Sequence, residues 1–93
     1  MILNPELTME KAELLKLLSN PLRLCIAHQL TQYGECNVSH FVNCMDASQP
    51  AISQSLSKLK SAGIVKIDKR GNEVFYSLTN EEVRNIINLL FNE

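Results

Sequence analysis

The side chains best equipped for chemistry in this chain are hydrogen-bonding and cationic, and they are bunched. Gln49, Ser53, Gln54 and Ser57 share one short stretch that begins Ser48-Gln49-Pro50, with Lys58 and Lys60 just behind them and Lys69, Arg70 and Asn72 a little further on. An amide side chain can bond two positions on the edge of an adenine, a hydroxyl serves bases or phosphates, and Lys and Arg neutralise phosphate oxygens. Between Ala47 and Asn72 there are five cations, Lys58, Lys60, Lys66, Lys69 and Arg70, against Asp68 alone, a local balance of plus four in a chain whose net charge is −1. The overall charge gives no hint of a nucleic-acid partner, but a single-sign field confined to one segment does.

Those residues need two elements to hold them. Ser48 can accept from the free N–H groups of a first helical turn, and Pro50 falls where a missing N–H costs nothing. Ile52, Leu56 and Leu59 form one apolar stripe, and Gly63 stops the helix beyond it. Gln54, Ser57 and Ser61 then point the other way, flanked by Ser53 and Lys58. A polar outer face is also what any amphipathic helix carries, so the helix alone does not decide the matter. The next segment adds to it. Val65 to Asp68 and Val74 to Leu78 are rich in β-branched and aromatic residues and flank Lys69-Arg70-Gly71-Asn72, which predicts a hairpin with cations at its tip. Lys on a hairpin can also guard an edge strand against aggregation. Helix face, hairpin and local charge together predict a winged helix-turn-helix that binds double-stranded DNA, with Ser48, Gln49, Pro50, Ser53, Gln54, Ser57, Lys58, Lys60, Lys69, Arg70 and Asn72 at the interface.

The rest of the chain supports that unit. A helix is expected near Thr8 to Leu18, and a second follows Asn20 as cap and Pro21 at its first position, closing near Gly34. A short third helix, about Ser39 to Met45 with Phe41, Val42 and Met45 inward, braces the recognition helix across Asp46-Ala47. After the hairpin, Thr79 and Asn80 can both cap a final helix, whose positive end suits Glu81 and Glu82. The expected order is α-α-α-α-β-β-α, mainly α with a small β-hairpin. Leu14, Leu15 and Leu18 on the first helix and Val83, Ile86, Ile87 and Leu90 on the last exceed what one small core needs, so the terminal helices, about 8–18 and 80–92, are expected to form a homodimer seam. A two-fold dimer would set its recognition helices about 34 to 36 Å apart, or a multiple of that, on a palindromic operator.

Ninety-three residues, 45% of them apolar, make one domain, expected to span 1–93, and a chain of this size gains from burial against a partner. Met1-Ile-Leu3 runs straight into Asn4, Pro5 and Glu6, unlike a signal peptide, and no apolar run approaches the ~20 residues of a membrane span. Three cysteines without a Cys-x-x-Cys pair fit a reduced, cytoplasmic protein with no membrane role. An enzyme is not expected: there is no Gly-rich phosphate loop, no placed carboxylate pair, and no cysteine with a recognisable base and orienting group beside it in sequence.

Asn20-Pro-Leu-Arg-Leu24, Ser48-Gln-Pro-Ala-Ile-Ser-Gln-Ser-Leu56, Leu59 with Ala62-Gly-Ile-Val65, and Arg70-Gly-Asn-Glu-Val-Phe-Tyr-Ser-Leu78 together resemble the signature of the ArsR/SmtB repressors of bacteria and archaea. The resemblance runs from about Leu14 to Leu78 with order and spacing intact. It implies a winged-helix repressor, dimeric through its two terminal helices and released from its operator by an effector.

The effector is not implied as clearly. Members of that family often hold metal through a Cys-x-Cys in a run like Glu-Leu-Cys-Val-Cys-Asp, and the corresponding run here is Glu35-Cys36-Asn37-Val38-Ser39-His40, with Asn37 and Ser39 in place of both thiols. A second family site uses Asp, His or Glu on the last helix, which here contains no His. Relatives that sense persulfides pair a cysteine in the second helix with one in the last, whereas His28 takes the first of those positions and the last helix has no cysteine. Cys36, His40 and Cys44 recur every four residues and could offer half a soft-metal site, but the outer pair on one helix would be about 12 Å apart. No cofactor is expected, and a small molecule, a metal, or an oxidant or reactive sulfur species acting on Cys25, Cys36 or Cys44 all remain open as effectors. So does a winged helix that binds a protein partner in place of DNA.

Overall fold

Five polar side chains start the helices of this protein. The computed structural model describes residues 3–92; Met1, Ile2 and Glu93, which the expected 1–93 domain includes, lie outside the described residues. Asn4, Asn20, Asn37, Ser48 and Asn80 each sit in extended backbone and accept an N–H from the turn they open, which satisfies donors that a helix start otherwise leaves bare. They introduce α1 (Pro5–Leu18), α2 (Pro21–Tyr33), α3 (Val38–Cys44), α4 (Gln49–Ser61) and α5 (Glu81–Leu90).

Two boundaries differ from expectation, and an asparagine is the reason in each case. Asn4 caps with Pro5 in the first turn, so α1 begins three residues before Thr8. Asn37 accepts from the His40 N–H at 2.8 Å, so α3 begins at Val38 and not Ser39. Val42, expected to face inward, is exposed, and Phe41 alone among the α3 side chains is buried.

The expected order also omits a strand. Glu35–Asn37 forms β1, which pairs antiparallel with β3 (Glu73–Leu78), and β3 pairs with β2 (Val65–Arg70), giving a three-stranded sheet in the order β1-β3-β2. The observed order is therefore α-α-β-α-α-β-β-α. Three residues carry no visible alternation, so β1 leaves no periodic signal to read. In the pairing, Cys36 stands opposite Tyr76, and Tyr76 opposite Ile67. These residues therefore share the inner face of the sheet with Val65 and Leu78, whereas Glu35, Asp68 and Arg70 share the outer one.

The core gathers Ile26, Ala27 and Leu30 from α2, Phe41 from α3, Ile52, Leu56 and Leu59 from α4, Ile64 and Val65, Leu78, and Val83 and Ile87 from α5. Each fully buried side chain of this kind contributes roughly 1.5 to 3 kcal/mol of transfer free energy. Leu18, Val83 and Ile87, assigned above to a dimer seam, are buried within this chain's own core, so they are not free to meet a second copy. Leu14 and Ile86 are half-buried against that core, and Leu15 and Leu90 are 55% and 60% exposed. Leu3, Leu7, Met9 and Leu89 are exposed as well. Across its 14 residues α1 buries only Leu18.

Candidate nucleic-acid interface

The Ser48 hydroxyl accepts from the Ala51 N–H at 3.3 Å and fixes where α4 begins. At the other end, Ile64 N–H donates to the Leu59 carbonyl at 2.9 Å and Gly63 N–H to that of Lys60 at 3.0 Å, with Gly63 at φ +75°. This is a Schellman closure, in which a residue without Cβ takes the left-handed conformation and the next residue turns inward. Ile64 is buried, so the same turn that ends α4 aims the chain into β2 and joins the helix to the hairpin.

Between those ends α4 keeps two separate faces. Ile52, Leu56 and Leu59 are fully buried, and Ser55, unassigned by the sequence reading, is buried beside them. Ser48, Gln49, Pro50, Ser53, Gln54, Ser57, Lys58 and Lys60 are all exposed. Among the described residues no side chain engages the exposed amide or hydroxyl groups of Gln49, Ser53, Gln54 and Ser57, so they face solvent. Lys58 and Lys60 lie in the last turn, near the negative end of the helix.

The hairpin turns over Gly71-Asn72, closed by the Arg70–Glu73 pair. Gly71 has φ +62°, and no non-glycine residue among those described has a positive φ, so the turn follows the II′ pattern with glycine at its first central position. Lys69 and Asn72 stand exposed at this tip. Arg70 is exposed too, yet it is engaged. Its Nη1 and Nη2 donate to the two carboxylate oxygens of Glu35 at 2.6 and 2.8 Å. Its Nε donates to Asp68 at 2.9 Å, and its guanidinium lies 4.7 Å from the centre of the Phe75 ring. The Arg70 hydrogen bond holds the Glu35 carboxyl below its ordinary pKa, and the two carboxylates raise that of Arg70. Glu35 was not singled out from sequence, because its relation to Arg70 depends on β1 reaching the same sheet.

The three thiols sit in different settings. Cys36 is on β1 rather than α3 and is buried, which pushes its pKa up to about 11. Cys25 is half-buried on α2, and Cys44 is exposed at the end of α3. With Cys36 on a strand, Cys36, His40 and Cys44 do not form a helical row, and among the described residues no group of three or more His, Cys, Asp or Glu side chains is arranged to hold a metal ion. His28 stacks on Phe91 with ring centroids 3.9 Å apart. Among the described residues no helix is long and apolar enough to cross a membrane.

Comparison with known proteins agrees with this geometry. The profile of a family described as bacterial regulatory protein, arsR family, matches residues 20–66, a span that runs from the α2 cap through α4 into β2. The transcriptional repressor PagR of Bacillus anthracis is 35% identical over 81 residues, covering 87% of this chain and 81% of that protein. The biofilm growth-associated repressor of Agrobacterium fabrum is 38% identical over 82 residues, covering 88% of this chain and 69% of its own length. Among solved structures, HlyU from Vibrio cholerae N16961 superposes with a TM-score of 0.89 at 32% identity, covering 96% of both chains. The PagR crystal structure superposes with a TM-score of 0.83 at 32% identity, covering 94% of this chain and 99% of the other.

Proposed function

The chain belongs to the arsR family of bacterial regulatory proteins, and from that premise we propose how this DNA-binding transcriptional regulator engages its operator. Like its relatives it is a repressor and not an enzyme. In the proposed complex Gln49, Ser53, Gln54 and Ser57 enter the major groove and read bases, while Lys58, Lys60 and Lys69 hold phosphates, with Ser48, Pro50 and Asn72 against the backbone at either end. Arg70 joins them by exchanging Glu35 for a phosphate. The observation that carries this reading is the exposed Ser/Gln face of α4 running into the lysines of its last turn and of the hairpin tip. Reading and holding are then divided between different side chains, as base contacts and phosphate contacts usually are.

We further propose that the regulator acts as a homodimer on a palindromic site. The seam lies along the outer face of α1 and the end of α5, where Leu7, Met9, Leu15, Leu89 and Leu90 are exposed. Leu14, Leu17 and Leu18 hold one side of α1 against the core, and its exposed apolar side chains lie on the other, which a partner can cover. An effector would release the operator by favouring a dimer whose two recognition helices no longer match its spacing.

Fluorescence anisotropy on the DNA upstream of the protein's own gene, against scrambled DNA across a salt series, tests the reading. The expected result is a preference of about 10³-fold or more with a steep salt slope. Equal and weak binding to both sequences would overturn it in favour of a protein-binding role for the same surface.

A further inference from the structure

Beside the recognition helix three side chains from two helices form a relay that DNA binding does not use. His40 Nε2 lies 2.8 Å from Oε1 of Gln29 on α2. With the Gln29 amide oxygen as its partner, the pairing assigns the proton to Nε2 and leaves Nδ1 of the neutral ring with its lone pair. That lone pair faces the Cys44 thiol, with Sγ and Nδ1 3.9 Å apart, within reach of a sulfur hydrogen bond. Tyr33 packs edge-on against the same ring at 4.9 Å and Phe41 at 5.6 Å, which restricts its tilt. Nucleophile, base and orienting group are thus in sequence, the arrangement by which weak nucleophiles are activated. Cys44 is exposed, so small molecules reach it.

We propose that Cys44 is a sensor nucleophile for soft carbon electrophiles of the α,β-unsaturated carbonyl class, with His40 as its base and Gln29 as the residue that positions His40. As Sγ bonds to the β-carbon, the thiol proton passes to His40 Nδ1 and the π pair of the C=C bond moves towards the carbonyl as an enolate. The imidazolium then delivers that proton to the α-carbon. S–H and C=C π bonds are replaced by C–S and C–H bonds, with no net oxidation and no further reactant. Addition suits this site better than disulfide formation, because Cys36, the closest other thiol in sequence, is buried with its pKa pushed up to about 11 and so is neither accessible nor readily ionised as a second thiol.

The consequence for DNA follows from position. Cys44 is the last residue of α3 and stands four residues before the Ser48 cap of α4. In a helix-turn-helix the first helix crosses the DNA backbone, so an adduct there adds bulk where the regulator must lie close to the duplex. This inference rests on the DNA-binding reading for its output, although the reactivity of the thiol does not.

The test uses the full, reduced chain and N-ethylmaleimide, with alkylation rates resolved for each cysteine by mass spectrometry. Cys44 should react about tenfold faster than Cys25 or more. His40→Ala should slow Cys44 by about tenfold, Gln29→Leu should slow it as well, and Gln29→Glu, which keeps an acceptor for Nε2–H, should bring it back towards the wild-type rate. The Cys44 adduct should bind the operator at least about tenfold more weakly, and Cys44→Ser should bind equally well before and after treatment. A Cys44 rate indifferent to His40 and Gln29 would overturn the relay, and full alkylation with unchanged binding would overturn the sensor. Failure of the untreated protein to prefer its operator would instead count against the DNA-binding reading, with the rate comparison still deciding the relay.

Discussion

Arg70 and Glu35 are joined by two hydrogen bonds of 2.6 and 2.8 Å although they stand 35 positions apart. The pair ties the tip of the hairpin to β1 and at the same time occupies the cation that the proposed complex needs at a phosphate. Both side chains are about half exposed, so the pair is a weak restraint in water and an exchangeable one. Arg70→Ala should weaken binding to every DNA sequence and reduce the salt slope by about one unit. Glu35→Gln should do the reverse in affinity, tightening binding about two- to fivefold, because Arg70 would then have only Asp68 and not two carboxylates to leave. Both follow from anisotropy across a salt series; an unaltered slope in Arg70→Ala would mean that the guanidinium remains on Glu35 in the complex.

Gln54 separates sequence reading from general attraction. It is exposed on α4, carries no charge and sits opposite the buried Ile52, Leu56 and Leu59 stripe. Gln54→Ala should relax discrimination between operator and altered operator by about 1 to 3 kcal/mol, with little change on scrambled DNA. Competition binding against a set of single-base operator variants measures this, and a uniform loss on all sequences would reassign Gln54 to positioning.

The legible parts of this fold were those written in local chemistry. Asn20-Pro21, Ser48-x-Pro50 and Gly63 each carry their own geometry, and the Ile52, Leu56, Leu59 stripe is buried as its spacing requires. What escaped was non-local. β1 is three residues long and exists only because β3 offers it an edge, so neither the strand nor the Glu35 contact had a signal of its own. Likewise Gln29 lies 11 residues from His40, and no sequence spacing announced that pair. The apolar surplus on the terminal helices was visible, but how it divided was not: Val83 and Ile87 went to the core and Leu89 and Leu90 stayed outside. That division depends on where α5 sits against α2.

The exposed leucines give the dimer a direct test. Leu15 and Leu90 are 55% and 60% exposed, so a charge at either position has little to disturb within one chain but would be desolvated in a seam. Leu15→Glu and Leu90→Glu should each leave the circular dichroism spectrum unchanged and shift the sedimentation coefficient from that of a dimer to that of a monomer. Operator binding should fall with dimerisation. Variants that remain dimeric would move the seam elsewhere.

Cys36 predicts a pH dependence of stability with a definite sign. Burial raises its pKa from 9.0 to about 11, so on raising the pH the unfolded chain loses this proton first. Above pH 9 the unfolded state therefore binds fewer protons than the folded one, and the linkage relation makes stability fall as pH rises. The favourable contribution is complete below pH 9 and drains away towards the folded value, amounting to about 1 kcal/mol between pH 8 and 10. Cys36→Ala abolishes that component and keeps those of the other titrating groups, which are shared by both proteins. Urea unfolding of wild type and variant under reducing conditions at the two pH values isolates it: the wild type should lose more stability than the variant by that amount. Equal losses would show that Cys36 ionises as readily in the folded protein as in the unfolded chain, and that the inner face of the sheet beside Tyr76 is open to water.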